Sequence, residues 1–199
     1  MDRPLTTDSE ALAARAQAGC RESFGLLVER HQKGLYNFLL QRVRSADEAE
    51  DLTQESFVRA WRRLATYRDQ WRFSTWLYAV ARSAAADRGR ERRELSQAAH
   101  ADPSFDPDPA AELSAREESQ NLWGLAREVL NEDQRSALWL FYGEERPAAE
   151  IGRVLGKSAV AVRVMLFRAR AILAQHIERK EQRSAASALA PRRMETLSP

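Results

Sequence analysis

"GKSAVAVRVMLFRAR", residues 156–170, combines the pattern of a packed helix with the surface of a binding element. Val162, Leu166 and Ala169 recur at helical spacing, which predicts that they share one buried side. The opposite side carries two valines and a phenylalanine beside an arginine: Val160, Val164, Phe167 and Arg168. Apolar side chains on the solvent side of a helix indicate a bound partner.

The residues just before this stretch predict a helix-turn-helix. "RPAAEIGRVLG" forms a short helix with Pro147 near its first turn and Gly156 after its end. No acidic residue occurs from Ile151 to Ile177, and the basic residues of the motif are Arg153, Lys157, Arg163, Arg168 and Arg170. Such charge suits DNA phosphates, while arginine and apolar side chains can contact guanine and thymine in the major groove. The alternative is a plain helical hairpin with a solvated face.

Further upstream, the chain divides into two helical modules. "NEDQRSALWLFYG" predicts a helix that starts at Asn131 and stops at Gly143, inside a second module of residues 119–178. Residues 95–118 are rich in Asp-Pro pairs, which do not suit regular structure, so we expect a flexible acidic linker there. Residues 179–199 show no periodicity and are expected to form a flexible tail.

The first module, residues 1–94, begins with two predicted helices within residues 8–44. After a turn at Ser45, "DEAEDLTQESFVRAWRRLATY" carries its acidic residues early and its basic residues late, an order that the helix dipole favours. The acidic half could serve a partner, or the segment could simply be a well-formed amphipathic helix.

An aromatic loop and a basic helix close the first module. Ser74 or Thr75 is expected to cap a helix that runs to about Arg93 and is basic at its end. Four aromatic residues lie in and around the preceding loop: Tyr67, Trp71, Phe73 and Trp76. Aromatic rings beside arginines are typical of a platform for single-stranded nucleic acid. Phe73 and Trp76 could equally be core residues.

The composition excludes several classes of protein. A single cysteine, Cys20, excludes an internal disulfide and a cysteine zinc site, and suits a cytoplasmic protein. We expect no signal peptide and no membrane insertion, because no apolar run approaches the ~20 residues that span a bilayer. His31, His100 and His176 are scattered without metal-ligand or triad spacing, and no phosphate loop occurs. The sequence therefore predicts a non-enzymatic protein without a cofactor or metal.

Three stretches, in order, resemble bacterial RNA polymerase sigma factors of the extracytoplasmic-function (ECF) class. They are "DEAEDLTQESFVRAW", "FSTWLYAVARSAAADRGRERR" and "EIGRVLGKSAVAVRVMLFRARAIL". The resemblance covers about residues 20–94 and 120–177. It implies an all-α fold of two small helical domains, a region 2 bundle and a region 4 helix-turn-helix, joined by the acidic linker. It also implies a factor that binds core RNA polymerase, directs it to promoters and helps melt the DNA.

The resemblance further implies roles for individual residues. It assigns docking on the β′ clamp of the polymerase to Asp51, Gln54 and Glu55. It assigns the minus-ten promoter element to Tyr67, Trp71, Phe73, Trp76, Arg82, Ser83 and Arg88. It assigns the minus-thirty-five element to Ser158, Arg163, Val164, Met165, Phe167 and Arg168. The other implied partners are the polymerase β flap and an anti-sigma factor.

A different class of protein remains open at this point. A helix-turn-helix regulator that does not join the polymerase would account for residues 131–177. It leaves the acidic helix and the aromatic loop without a role, so transcription from a defined promoter distinguishes the two hypotheses.

Overall fold

A computed structural model of the chain describes residues 9–43, 45–99 and 115–189, and within these ranges every regular element is helical. This confirms the predicted all-α class. The helices are α1 (Ser9–Gln17), α2 (Arg21–Leu40), α3 (Ala46–Arg63), α4 (Phe73–Ala99), α5 (Ala115–Val129), α6 (Glu132–Leu138), α7 (Ala148–Leu155) and α8 (Ala159–Leu189). Among the described residues, no helix is long and apolar enough to cross a membrane.

Helices α1 to α4 form the first module. Ser45, where the sequence predicts a turn before a helix start at Asp47, is itself the N-cap of α3, since its Oγ accepts a hydrogen bond from the Glu48 amide at 3.1 Å. The first turn of α3 is acidic and its last turn is basic, in accord with the helix dipole. The packed sides of α2, α3 and α4 meet in a core that includes Leu27, Phe38, Leu52 and Leu77.

Helix α4 differs from expectation at both ends. It begins at Phe73, whose amide donates to the Glu10 carboxylate of α1 at 2.9 Å, so Ser74 and Thr75 are buried helical residues and not caps. It continues to Ala99, and α5 begins at Ala115, so both ends of the predicted 95–118 linker are helical. Alanine, glutamate and glutamine favour helix by propensity even beside an acidic linker. Residues 100–114 lie outside the described part of the chain.

Helices α5 to α8 form the second module. Asn131 starts α6 with a capping box, in which its side chain accepts from the Gln134 amide and the Gln134 side chain accepts from the Asn131 amide. A π-helical turn, Trp139–Gly143, ends the α6 segment at the predicted glycine.

The turn between α7 and α8 confirms the helix-turn-helix. Gly156 adopts the left-handed conformation (φ 65°) that ends α7, and the Lys157 amide donates to the Gly152 carbonyl at 2.7 Å. A side chain at Gly152 would collide with the Lys157 carbonyl, so the turn needs glycine there as well.

Helix α8 is longer than the sequence indicated. It runs to Leu189, so residues 179–189, which the sequence predicted as part of a flexible tail, are helical, and residues 190–199 lie outside the described range. The segment "ERKEQRSAA" lacks an apolar period but consists mostly of good helix formers. Propensity therefore extends the helix where packing does not require it.

The two modules pack against each other through polar contacts and through a shared apolar core. The side chain of Arg42, two residues after the end of α2, is only 6% exposed; it donates to Ser136 Oγ at 2.9 Å and pairs with Glu132 at 3.3 Å. Arg135 Nε returns a hydrogen bond of 2.8 Å to the Gln41 carbonyl. In addition, α7 lies against α4. The chain order separates the modules, but their buried residues form one contiguous core.

Candidate nucleic-acid and polymerase interfaces

The outward face of α8 is an apolar stripe, made of Val160, Val164 and Phe167. Val162 and Leu166 point into the core and are at most 2% exposed. A helix turns by about 100° per residue, so residues 160, 164 and 167 lie on the side opposite that buried pair. Their side chains are 64%, 43% and 71% exposed, respectively. The structure thus places unpartnered apolar surface where the sequence predicted it.

Basic side chains border the apolar stripe on both flanks. Arg163 is exposed on one flank and Arg168 on the other. The remaining predicted contacts of this helix have structural roles. Ser158 Oγ accepts the Ala161 amide at 3.1 Å as a helix cap, and Met165 packs partly into the core. Val160 lies on the face that the sequence predicted, but it was not among the residues assigned to the minus-thirty-five element. Its spacing of four residues from Val164 was enough to include it.

The aromatic loop is organised differently from α8. Tyr67 is 3% exposed and Phe73 is fully buried, and their rings meet edge to face with centroids 5.5 Å apart. In this structure neither ring presents a free face to a base, so the contact of these two residues with the minus-ten element stays a prediction. Trp76 is half-buried against both rings. Three mutually packed rings bury apolar area at the base of the loop, which explains their inward placement.

Trp71 remains near the surface but is covered by the second module. The guanidinium carbon of Arg153 lies 3.3 Å from the centroid of the Trp71 ring, a cation–π contact. Beside it, Thr75 Oγ1 donates to the Glu150 carboxylate at 2.7 Å, and Arg72 Nε lies 3.6 Å from the same carboxylate. Helix α7 therefore covers one face of the Trp71 ring.

The three predicted contacts on α4 have different environments. Ser83 is exposed. Arg82 points toward the end of α7, since its Nη1 lies 3.7 Å from the position that a Cβ on Gly156 would take. Arg88 pairs with Glu55 of α3 at 3.2 Å.

The acidic side of α3 is only partly available to a partner. Asp51 and Gln54 are exposed, whereas Glu55 pairs with Arg59 at 2.6 Å as well as with Arg88. A shallow cleft of about 620 Å³ lies between α3 and α4 at this point. Asp51 and Gln54 therefore face solvent, while two arginines hold Glu55.

A wider basic cleft of about 1310 Å³ lies between the modules, beside the α8 face. Its lining includes Glu132 and Asp133, but cations from both modules outnumber them: Arg42, Arg92, Arg93, Arg127, Arg135, Lys157 and Arg168. This excess of positive charge suits a polyanion better than a small neutral ligand.

The surroundings of His31 fit a structural role. His31 packs on Phe73, with ring centroids 5.5 Å apart, and its Nε2 lies 3.0 Å from Ser9 Oγ. Burial, aided by the charges of Arg30 and Arg146, lowers the pKa of His31 to about 4. The described ranges hold no group of three or more His, Cys, Asp or Glu side chains suited to a metal ion.

Each of the two modules matches a known protein family. Residues 27–94 match Sigma-70 region 2, and residues 125–173 match Sigma-70, region 4. The sigma factor RpoE of Bartonella quintana, solved with the anti-sigma factor NepR, has a similar fold. It aligns with a TM-score of 0.65 at 20% identity, over 79% of this chain and 98% of that one.

Relatives in sequence point the same way. The RNA polymerase sigma-H factor of Pseudomonas aeruginosa is 31% identical over 172 residues, 81% of this chain and 89% of that factor. The ECF RNA polymerase sigma factor BldN of Streptomyces coelicolor is 34% identical over 169 residues, which are 82% of this chain but 64% of BldN. The chain spans 40% of a further sigma factor, from Xanthomonas campestris. The chain belongs to the sigma-70 family, as an ECF RNA polymerase sigma factor.

Proposed function

We propose that this chain joins core RNA polymerase, directs it to specific promoters and helps open the DNA there. The first module, residues 1–94, would dock on the polymerase and hold the minus-ten element. The second, residues 119–178, would bind the minus-thirty-five element, and residues 95–118 would connect them. The polymerase would form every phosphodiester bond, so the chain itself contributes binding and no catalysis.

The outward face of α8 is the observation that carries this proposal. An apolar stripe between two basic flanks matches a DNA major groove, whose floor presents thymine methyl groups and whose walls are phosphates. Arg163 and Arg168 would contact the two walls, while Val160, Val164 and Phe167 would meet base edges and sugars. A solvated hairpin would gain nothing from exposing a phenylalanine that is 71% accessible.

Minus-ten binding is proposed for a smaller set of residues than the sequence indicated. Ser83 is exposed, Arg88 can exchange Glu55 for a phosphate, and Arg82 and Trp71 become accessible if α7 moves away. Trp71 would stack on an unpaired base, as aromatic side chains do in single-strand sites. Tyr67, Phe73 and Trp76 would support the loop from beneath.

Docking on the polymerase is proposed for the exposed residues of α3. Asp51 and Gln54 would contact the β′ clamp, and Glu55 would join them only after leaving its arginine partners. The second module would contact the β flap. An anti-sigma factor is proposed as a further partner, supported by the solved complex of RpoE with NepR.

Run-off transcription tests the proposal. Core polymerase with the purified chain should start RNA synthesis at defined sites on fragmented genomic DNA, and core polymerase alone should not. A helix-turn-helix regulator would instead shift duplex DNA without starting transcription, and that result would contradict the proposal.

A paired variant tests the docking site. Asp51→Arg with Gln54→Ala should reduce co-elution with core polymerase and leave duplex binding by α8 unchanged. Glu128→Arg, a charge reversal at an exposed position of α5, is the matched control. Equal co-elution of both variants would remove Asp51 and Gln54 from the docking surface.

A further inference from the structure

The basic cleft between the modules carries cations beyond those assigned to promoter DNA. Arg93 lies on α4, Arg127 on α5 and Arg168 on α8, and all three line the cleft. All three are exposed, and within the described part of the chain none of them has a carboxylate or hydrogen-bond partner. Of the three, only Arg168 is assigned to promoter DNA. Three helices therefore present unpaired guanidinium groups to one space.

The two carboxylates that line the cleft are already engaged by other cations. Glu132 Oε2 lies 3.3 Å from Arg42 Nη2. Asp133 lies 3.5 Å from Arg42 Nη1 through one oxygen and 3.1 Å from Lys157 Nζ through the other. Neither carboxylate is thus left to neutralise the three unpaired arginines. Like charges that face one space repel each other, so a bound anion would stabilise the arrangement.

A buried arginine belongs to the wall of the cleft. The Arg42 side chain is only 6% exposed, and its Nε has no hydrogen-bond partner among the residues that the structure describes. Burial lowers the pKa of Arg42, because water no longer stabilises its charge. Burial also lowers the pKa of Arg135, and the charge of Arg127 adds to that decrease, although Glu132 opposes it. The positive charge of the cleft therefore exceeds what its own carboxylates offset.

The size and chemistry of the cleft indicate a compact ligand with several negative charges. Its volume of about 1310 Å³ exceeds the ~300–1,000 Å³ of ordinary small-ligand pockets, so a ligand of nucleotide size has room. Arginine forks match phosphate oxygens, and one phosphate offers more charge and more acceptor oxygens than one carboxylate. Val43 and Met165 add an apolar wall that suits the flat face of a base.

We propose that this cleft binds a small phosphate-rich anion, an oligophosphate or a nucleoside polyphosphate, through Arg93, Arg127 and Arg168. The phosphate chain would lie between the three guanidinium groups and so contact both modules. Arg168 also belongs to the outward face of α8, so the anion and the minus-thirty-five duplex would compete for it. The site stands on the geometry of the cleft, whereas the competition rests on the proposed function.

Isothermal titration calorimetry of the full chain with inorganic tripolyphosphate, at constant ionic strength, tests the site. Arg93→Gln with Arg127→Gln should weaken binding about tenfold, because two exposed charge pairs are lost. Arg21→Gln with Arg179→Gln is the matched control, since it removes one exposed arginine each from α2 and α8 outside the cleft. Equal affinities of the two double variants would show attraction by net charge alone and would overturn the site. Absence of saturable binding by the unmodified chain would overturn it as well.

A second titration distinguishes the two sources of the phosphate chain. Adenosine triphosphate in magnesium-free buffer adds a base and a sugar to the same chain of phosphates. Tighter binding than that of tripolyphosphate would assign the site to nucleoside polyphosphates, because the base packs on the apolar wall. Equal binding would assign it to inorganic oligophosphates. Orthophosphate should bind more weakly than either, because one phosphate does not reach all three guanidinium groups, and equal binding of orthophosphate would overturn the proposal.

Competition with DNA separates this site from the promoter surface. Saturating tripolyphosphate, at constant ionic strength, should weaken binding of the minus-thirty-five duplex mapped by run-off transcription. The same concentration should have little effect on Arg93→Gln with Arg127→Gln, which should bind the duplex as tightly as the unmodified chain when no tripolyphosphate is present. Weaker duplex binding by that variant alone would assign the cleft to DNA and overturn the proposal. Absence of run-off initiation by the unmodified chain would overturn the proposed function instead, and the titrations would still decide the phosphate site.

Discussion

The surfaces proposed for the minus-ten and the minus-thirty-five elements have similar compositions but opposite accessibilities. Each combines aromatic or apolar side chains with arginines. On α8, Phe167 is 71% exposed, whereas in the aromatic loop Phe73 is fully buried. When one side of a surface helix packs against the core, its opposite side faces solvent. Phe73 lies on the buried side of α4 together with Leu77, whereas Trp71, in the loop before that helix, lies under a neighbouring helix. Composition therefore indicates the kind of ligand, and packing decides whether the surface is available.

The largest expected effect is on the open surface. Phe167→Ala with Arg168→Ala should weaken binding to minus-thirty-five duplex DNA by about 2–6 kcal/mol, at about 1–3 kcal/mol for each lost contact. Fluorescence anisotropy at fixed salt measures the loss. Arg21→Ala, on the first module, is the control. Unchanged affinity would mean that the exposed face of α8 is no more available to DNA than the buried aromatic residues are.

The second effect is on the stability of the fold, through His31, which packs on Phe73 beneath the aromatic loop. His31 has a pKa of about 4 in the folded chain, below its ordinary value of 6.5, so the unfolded chain binds more protons between these values. The free energy of unfolding should therefore fall as pH decreases from about 6.5 to about 4. The contribution of His31 is up to about 3 kcal/mol, at about 1.4 kcal/mol per pKa unit.

Urea unfolding at pH 7 and pH 4.5 measures this dependence. His31→Gln should reduce the difference between the two pH values, and His176→Gln, a half-buried histidine of α8, should leave it unchanged. The same difference in all three proteins would show that His31 is not the titrating group.

The third effect distinguishes Trp71 from the rings beneath it. In the complex with polymerase, Trp71→Ala should slow promoter opening in line with the loss of one stacked base, about 1–3 kcal/mol. Trp71→Phe retains a ring and should keep most of the rate. Permanganate footprinting of unpaired thymines measures opening. Equal rates for both variants would assign base capture to another residue.

The smallest effect tests the chemistry of the α8 stripe. Replacing thymine by deoxyuridine in the minus-thirty-five element removes only methyl groups. Each methyl that contacts Val160, Val164 or Phe167 should cost about 0.8 kcal/mol of binding, the free energy of burying one such group. The same replacement outside the element is the control. No loss at any thymine would limit the apolar stripe to contacts with sugars.

The sequence predicted correctly those features that depend on residues close together in the chain. The Asn131 cap, the Gly143 and Gly156 stops and the α8 face were predicted because each depends on a few neighbouring residues. The start of α4 was missed because its cap, Glu10, comes from another helix. The extension of α8 was missed because the spacing of apolar residues indicates which residues pack. It does not indicate which residues favour a helix without packing.

The sequence by itself determined the all-α class, the helix-turn-helix and the segregation of charge, because these features arise from side chains within one or two turns of each other. Only the tertiary structure decided which predicted contacts are accessible. Tyr67 and Phe73 became core, Glu55 became paired, and Trp71 came to lie under Arg153. These outcomes depend on residues distant in the chain that meet only when the helices pack.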